Sequence, residues 1–422
     1  MPIQRIHVEN FKSFSELDIE LSQFHVLIGS NAAGKSNFIS IFKFLRDITK
    51  HGIINAIAMQ GGSEYLQNTN IGSSRDLAIR VVYQPDQKVE ILEQQQCKET
   101  PLLAIRSCQS SYEFALRFDG PGDGFSITRD RLSIGCEVMS CDHIDEHRDD
   151  TEKIGRGEIQ VTNEAGKLTY TVDLPKGFPI TEQELIPFYF RGKELPGKTL
   201  LLETPYAYPL PHIEKFFDRI AVYDIDPKLL KKGVAITGKR DLEEDAGNLA
   251  LVLKNIIGDP EKKRKFSNLL RDVLPFVEDF SVKKFMDISL VLTLRERYVK
   301  NHDLPSTSLS DGTMTIFALI IALYFEDKPF IIIEEPVTHI HPFLVGRVIT
   351  MMKESSRSRQ IMITTHSTEV VKHASIEDLL LVSRDTEGFS VISRPADKEE
   401  VRTFLENEIG IEELYIQNLL GL

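Results

Sequence analysis

Two hydrophobic patterns divide this chain. Near its start, apolar and polar residues alternate in Ile3–Val8 and Leu17–Leu21, which reads as two half-buried strands. Asn10-Phe11-Lys12-Ser13-Phe14 forms a polar and aromatic corner between them. Phe24–Ile28 is an unbroken apolar run, read as a strand, and Asn37–Leu45 (NFISIFKFL) places apolar side chains at helical spacing. Gly52–Asn70, with Gly61-Gly62 and many Gln and Asn residues, reads as a loop. Asp76–Gln84 and Ser111–Phe118 alternate again, as a hairpin or meander attached to this first lobe. From about 85 to 180 the pattern is weakest, with strand-like pieces at Glu158–Thr162 and Leu168–Val172 among glycine-rich and charged loops. Helical spacing then dominates in Pro211–Val222, Asn248–Ile257 and Glu261–Val273, broken by Gly258-Asp259-Pro260. Ser281–Arg295 returns to alternation, and Met314–Phe325 is a strongly apolar helix. Pro329–Ile333 and Gln360–Thr364 are unbroken apolar runs, the signature of parallel strands buried on both faces. Glu377–Ser383, Phe389–Ser393 and Glu399–Leu405 read as a strand pair and a helix closing this second lobe.

Composition narrows the class. With 422 residues and 41% hydrophobic content, the chain has room for two or three domains with ordinary cores. A net charge of −13 argues against a molecule that is a nucleic-acid binder over its whole surface, though not against a local basic patch. Four cysteines (Cys97, Cys108, Cys136, Cys141) in a chain of this length argue against a disulfide scaffold and suit a reducing compartment. Met1–Asn10 lacks a signal-peptide pattern, and runs such as Ile316–Phe325 are too short to span a bilayer. The expected setting is cytoplasmic, with no membrane partner. No heptad pattern, internal repeat or low-complexity tract is found.

The chemistry concentrates at strand ends. Gly29-Ser30-Asn31-Ala32-Ala33-Gly34-Lys35-Ser36 reads GxxxxGKS, between a predicted strand and a predicted helix that begins near Asn37. Its backbone N–H groups and the helix dipole would cradle phosphates. Lys35 would reach the β- and γ-phosphates, and the Ser36 hydroxyl would sit on Mg²⁺. Pro329–Ile333 delivers Glu334 and Glu335 at the strand end where ligands bind in open α/β sheets. Glu334 would support the Mg²⁺ shell, and Glu335 would orient and polarise the attacking water. Gln360–Thr364 ends in Thr365-His366-Ser367, placing His366 to hydrogen-bond the γ-phosphate and the water. Leu309-Ser310-Asp311-Gly312-Thr313 opens the helix Met314–Phe325, a second anion-binding arrangement that makes sense if it closes over a nucleotide held by another copy.

Two further clusters have ordinary readings. Cys136, Cys141, His143 and His147 lack the paired spacing of a structural zinc site, and two buried thiols with two solvated histidines account for them. The short basic run Glu261–Lys265 (EKKRK) reads as a solvated helix face, with contact to a phosphate backbone as the alternative.

GSNAAGKS, LSDGT, FIIIEEP and THS, in that order, resemble the P-loop, signature motif, Walker B strand and H-loop of ABC-class ATPases. The wide separation of Lys35 from Leu309 resembles the SMC/RecF-like branch, and most of all its compact bacterial AAA-type members, relatives of the ATPase half of OLD-family nucleases. The resemblance implies an α/β, P-loop ABC-type ATPase fold with a mixed sheet, an antiparallel β subdomain and an inserted middle region grading from α/β to helical. Residues 1–118 and 301–422 would form the two halves of the ATPase lobe, with 119–300 inserted. It further implies ATP and Mg²⁺ as ligands and a homodimer sharing its ATP sites. Residues Gly29–Asn37, Glu334, Glu335 and His366 of one copy would hold the nucleotide, and Ser310 and Gly312 of the other would contact its γ-phosphate. His341 would fall in the D-loop position, while Gln60, Gln67 and Gln84 all remain open for the Q-loop. The stretch after His366 is too short for a Toprim domain. Two roles stay open: a DNA-associated ATPase in repair or anti-phage defence, or a nucleotide-gated scaffold holding an effector protein from a neighbouring gene.

Overall fold

The computed structural model describes residues 2–85, 89–92, 102–120, 124–141, 151–175, 194–204, 213–286, 288–299, 302–406 and 409–420. By its internal contacts the chain divides into two units. One comprises Met1–Ser22, Ser36–Arg219 and Arg384–Val391; the other comprises Gln23–Lys35, Ile220–Ser383 and Ile392–Leu422.

The first unit is built on an eight-stranded antiparallel sheet. Its order is Phe14–Glu20, Ile3–Phe11, Leu77–Tyr83, Leu102–Phe118, Phe125–Cys141, Thr151–Glu164 and Lys167–Asp173, with Val89–Leu92 also paired to Leu102–Phe118. The register aligns Val8 with Leu17 and with Ile79, and Ile79 with Phe114, so the alternating apolar positions stack on one face. There the helix Lys35–His51 buries Phe38, Ile41, Phe42, Phe44 and Leu45. Phe44 lies between Phe11 and Phe114, at ring-centroid distances of 6.0 and 6.4 Å.

The second unit carries the parallel strands. Its sheet runs Ala221–Asp224, Phe330–Glu334, Gln360–Thr365, Phe24–Ile28, Leu379–Arg384 and Ser390–Ser393. All five residues of Phe24–Ile28 and all six of Gln360–Thr365 are buried, because helices cover both faces of a parallel sheet. The helix Asp311–Tyr324 is apolar on nearly every side and is buried from Thr313 to Leu323. Beside it, Pro260–Val273 inserts Phe266 among Phe280, Phe317 and Phe325 at 5.0, 5.5 and 5.6 Å. A smaller sheet pairs Val277–Phe285 with Ser289–Glu296. The fold is α/β with mixed sheets, and no described helix is long and apolar enough to cross a membrane.

Two expectations are corrected. The stretch Gly52–Asn70 is not a plain loop: it holds the helices Ile53–Met59 and Ser63–Leu66. Its glycines are the N-caps, Gly52 at φ 80° and Gly62 at φ 95°, while Ile53, Ala56 and Ile57 bury a helical stripe. Pro211–Val222 is not one helix either. A helix Ile213–Asp218 ends before Ala221–Asp224, which pairs with Ile331–Glu334 as an edge strand. A short apolar run reads equally as helix or strand until it finds its partner. In the cysteine–histidine cluster, Cys136 lies buried in a strand, whereas His143 and His147 fall outside the described residues. Among the described residues no group of three or more potential ligands could hold a metal ion.

Candidate functional site

Parallel register sets the site. Thr365 pairs with Ile28 and Glu334 with Thr364, so the residues after Ile28, Glu334 and Thr365 leave the sheet at one edge. That edge is where the phosphate-loop residues, Glu335 and His366 begin.

The loop is shaped by close approaches. A side chain on Gly29 would place its Cβ 2.3 Å from the Val382 carbonyl oxygen, so only glycine fits there. Gly34 (φ 120°) and Ala32 (φ 61°) also take left-handed backbone, and the Ala33 N–H closes a turn onto the Ser30 oxygen at 3.3 Å. Lys35 Nζ donates to the Gly29 and Ser30 carbonyls at 2.7 and 3.2 Å, tying the loop around its own ammonium. Partial burial lowers the Lys35 pKa from its ordinary value, and the charge of Glu335 opposes that shift. Ser30 and Asn31 are exposed. In the other unit, Ser36 is exposed and Asn37 Nδ2 donates to Ser13 Oγ at 2.8 Å.

Glu335 is the most constrained acidic residue of the group. Its φ of 45° lies in the left-handed region, which costs a residue with a Cβ about 1–2 kcal/mol. The surroundings hold it there. Its N–H donates to the Thr364 carbonyl at 3.0 Å, and Thr338 Oγ1 donates to its carbonyl at 3.1 Å. The carboxylate is fixed by His366 Nδ1 at 2.7 Å and, more weakly, by the Thr365 hydroxyl at 3.4 Å. Glu334 lies one residue before it, at the strand end and half-buried.

The Ser310 group is separate. Ser310 caps the helix Asp311–Tyr324, its Oγ accepting from Thr313 N–H at 3.1 Å. A Cβ on Gly312 would stand 2.5 Å from the His339 carbonyl oxygen, so glycine lets the helix start pack against the segment following Glu335. Asp311 pairs with Lys231 at 2.5 Å, and that ammonium holds its carboxyl below the usual carboxylate range. Among the described residues no hydrogen bond or ion pair joins Ser310 to Lys35, Glu335 or His366. His341 caps the helix Pro342–Ser355, its Nδ1 accepting from Phe343 N–H at 3.3 Å.

The three glutamines fall in the first unit. Gln60 and Gln67 line a cavity of about 740 Å³ with Lys12, Asn37, Tyr65 and Arg384. Gln84 instead accepts a hydrogen bond from Gln4 at 3.0 Å. Sequence reading missed Thr338, Lys231 and Tyr415, which belong to no motif. Burial raises the pKa of Tyr415, in the helix Ile411–Ile416, and the charge of Glu335 adds to that shift.

Residues 1–168 match a family model described as "AAA ATPase domain". Residues 248–372 match another, described as "AAA domain, putative AbiEii toxin, Type IV TA system". Both stretches are thus similar to AAA-type ATPase domains. Among solved structures, this ATPase is similar to the SMC head domain from Thermotoga maritima, at 13% identity and a TM-score of 0.42 over 93% of this chain and 99% of that one. An SMC head bound to the C-winged helix domain of ScpA gives 15% identity and 0.44, covering 93% and 98%. An SMC head with an extended coiled coil, bound to the C-terminal domain of ScpA derived from Pyrococcus furiosus, gives 14% and 0.39, covering 96% and 98%. No curated protein matches the chain.

Proposed function

We propose that this ATPase binds ATP with Mg²⁺ and hydrolyses it to ADP and phosphate as a timed switch between single chains and a homodimer bridged by nucleotide. The carrying observation is Glu335, held in a left-handed backbone at a strand end with its carboxylate on His366. A strained, over-determined carboxylate beside a glycine-shaped phosphate cradle suits a residue that orients water.

Gly29–Asn37 would hold the phosphates, with Lys35 on the β- and γ-phosphates. The exposed Ser36 hydroxyl and the Glu334 carboxylate have the hard oxygen chemistry that Mg²⁺ takes, and the ion when bound would neutralise phosphate charge. His366 keeps the Glu335 carboxylate aimed. Ser310 and Gly312 of a second copy would complete the site, since they form a separate group within one chain. Glu335→Gln keeps the shape and removes the charge, so the variant should bind ATP and accumulate as a dimer by light scattering. Hydrolysis at the wild-type rate by that variant would refute the role given to Glu335.

The work done by the switch is read as DNA-associated, in repair or anti-phage defence. A second reading, a nucleotide-gated scaffold that holds an effector such as a nuclease or toxin, is favoured by the net charge of −13 and by the toxin–antitoxin wording of one matching family model. DNA-stimulated turnover that falls steeply with salt supports the first. Salt-insensitive copurification with a second protein, without any DNA effect, supports the second.

A further inference from the structure

The connector after the edge strand Ala221–Asp224 leads to the Ser310 helix. Asp224 pairs with Glu334 in parallel register, so this strand stops level with the end of Phe330–Glu334. Asp226 then caps the helix Pro227–Leu230, accepting from the Lys228 N–H at 2.9 Å, with Pro227 in the first turn. Leu230 is buried in the core that also holds Leu309, Met314 and Phe317. The backbone that carries Lys231 is thereby fixed.

Lys231 meets the Ser310 segment twice. Its carbonyl accepts from the hydroxyl of the buried Ser306, upstream of Ser310, at 3.0 Å. Its ammonium holds the Asp311 carboxylate at 2.5 Å, with the two side chains 25% and 38% exposed. Asp311 is the first residue of the helix Asp311–Tyr324. Ser310 takes the N–H groups of Thr313 and Met314, so among the described residues those of Asp311 and Gly312 are what the helix start offers an anion. A carboxylate on that same first turn opposes an incoming anion, since it already satisfies the helix dipole and repels phosphate. Lys231 cancels that charge. Its ammonium is the main cause holding the Asp311 carboxyl below the usual carboxylate range, with His339 and Lys228 adding less.

We propose that Lys231 is a positioning residue for the shared ATP site: by pairing with Asp311 it removes the negative charge that would otherwise keep the triphosphate of a second copy from Ser310 and Gly312. This inference rests on the shared-site reading above and adds to it a residue outside every motif. Lys231 acts through Asp311 and need not touch the nucleotide. The Ser306 hydroxyl bonds its backbone, so the connector stays in place when the ammonium is lost.

The test is Lys231→Met, which keeps most of the stem and removes the charge. At low ionic strength, kcat/KM for ATP should fall about five- to tenfold. In about 1 M salt, where the Debye length is about 3 Å, the deficit should shrink to within about twofold. The melting temperature should move by no more than about 4 °C, the range for a part-exposed ion pair. Adding Asp311→Asn to Lys231→Met should restore kcat/KM to within about twofold of wild type, because the charge that needed cancelling is gone. A purely structural clip would gain nothing from the second substitution. Lys231→Met with wild-type turnover, or a double variant as slow as the single one, overturns the proposal. Ser310→Arg separates the two possible failures. If it keeps full turnover, the shared site is refuted and this proposal with it; if it is inactive while Lys231→Met is unaffected, this proposal alone is refuted.

Discussion

Replacing His366 by alanine separates what the site contributes to folding from what it contributes to chemistry. The His366–Glu335 pair is 2.7 Å long, but its side chains are 62% and 30% exposed. Exposed pairs of this kind contribute about 0–1 kcal/mol to stability. Even the upper figure lowers a melting temperature by only about 2–4 °C in a domain of 150–250 residues. The backbone of Glu335 stays pinned by Thr364, so the fold does not relax around the loss. The carboxylate, however, keeps only the 3.4 Å contact from the Thr365 hydroxyl, too long for a firm tether. A positioned general base contributes about 10²–10⁴-fold, and an untethered one forfeits much of that. His366→Ala should therefore lower kcat by roughly 10²-fold, with the KM for ATP nearly unchanged. Phosphate release and differential scanning fluorimetry measure the two effects side by side. A kcat within about threefold of wild type would refute the argument, as would a collapse in melting temperature large enough to explain the lost activity.

Two other predictions follow from local geometry. Gly312→Ala drives a Cβ to within 2.5 Å of the His339 carbonyl, so the helix start and the segment after Glu335 must part. Overpacking of this kind costs about 1–3 kcal/mol, and both the melting temperature and ATP turnover should fall; unchanged values for both would show that the contact yields freely. Asp130 is fully buried and accepts hydrogen bonds from Tyr112, Asn163 and the Leu201 N–H at 2.8–2.9 Å. Burial raises its carboxyl to about 7. The folded chain then keeps this proton to a higher pH than the unfolded chain does, so unfolding releases it between the ordinary carboxylate range and about 7. Stability from this group is present at low pH and is lost as pH rises through about 7. Thermal midpoints at pH 5 and 7.5 should fall further in wild type than in Asp130→Asn, and parallel shifts would contradict the assignment.

The legible parts of this fold are those whose cause is local. Phe24–Ile28, Phe330–Glu334 and Gln360–Thr365 announce themselves because a strand covered on both faces must be apolar without interruption. The residues of the candidate site follow those strands, and parallel pairing then puts Gly29, Glu335 and His366 at one edge. What stayed hidden depends on partners distant in sequence. Ala221–Asp224 becomes a strand because Ile331–Glu334 offers it an edge. The glycines at 52 and 62 resemble loop punctuation until they are seen capping helices. Strands as long as Phe125–Cys141 and Thr151–Glu164 are made by pairing with each other, through polar residues of weak strand preference. Lys231 with Asp311 is a single contact across a long separation, and no spacing rule encodes it.

The central claim is that each chain carries only half of a working site, the other half being Ser310 and Gly312 of a second copy. Mixing two disabled chains tests it directly. Lys35→Ala destroys the phosphate cradle and leaves the Ser310 surface intact; Ser310→Arg does the reverse. Each alone should be inactive. In an equimolar mixture about half of the dimers pair one of each, and one of their two sites is whole, so turnover should return to about one quarter of the wild-type rate. No recovery, in a mixture shown to contain mixed dimers, would contradict the shared site.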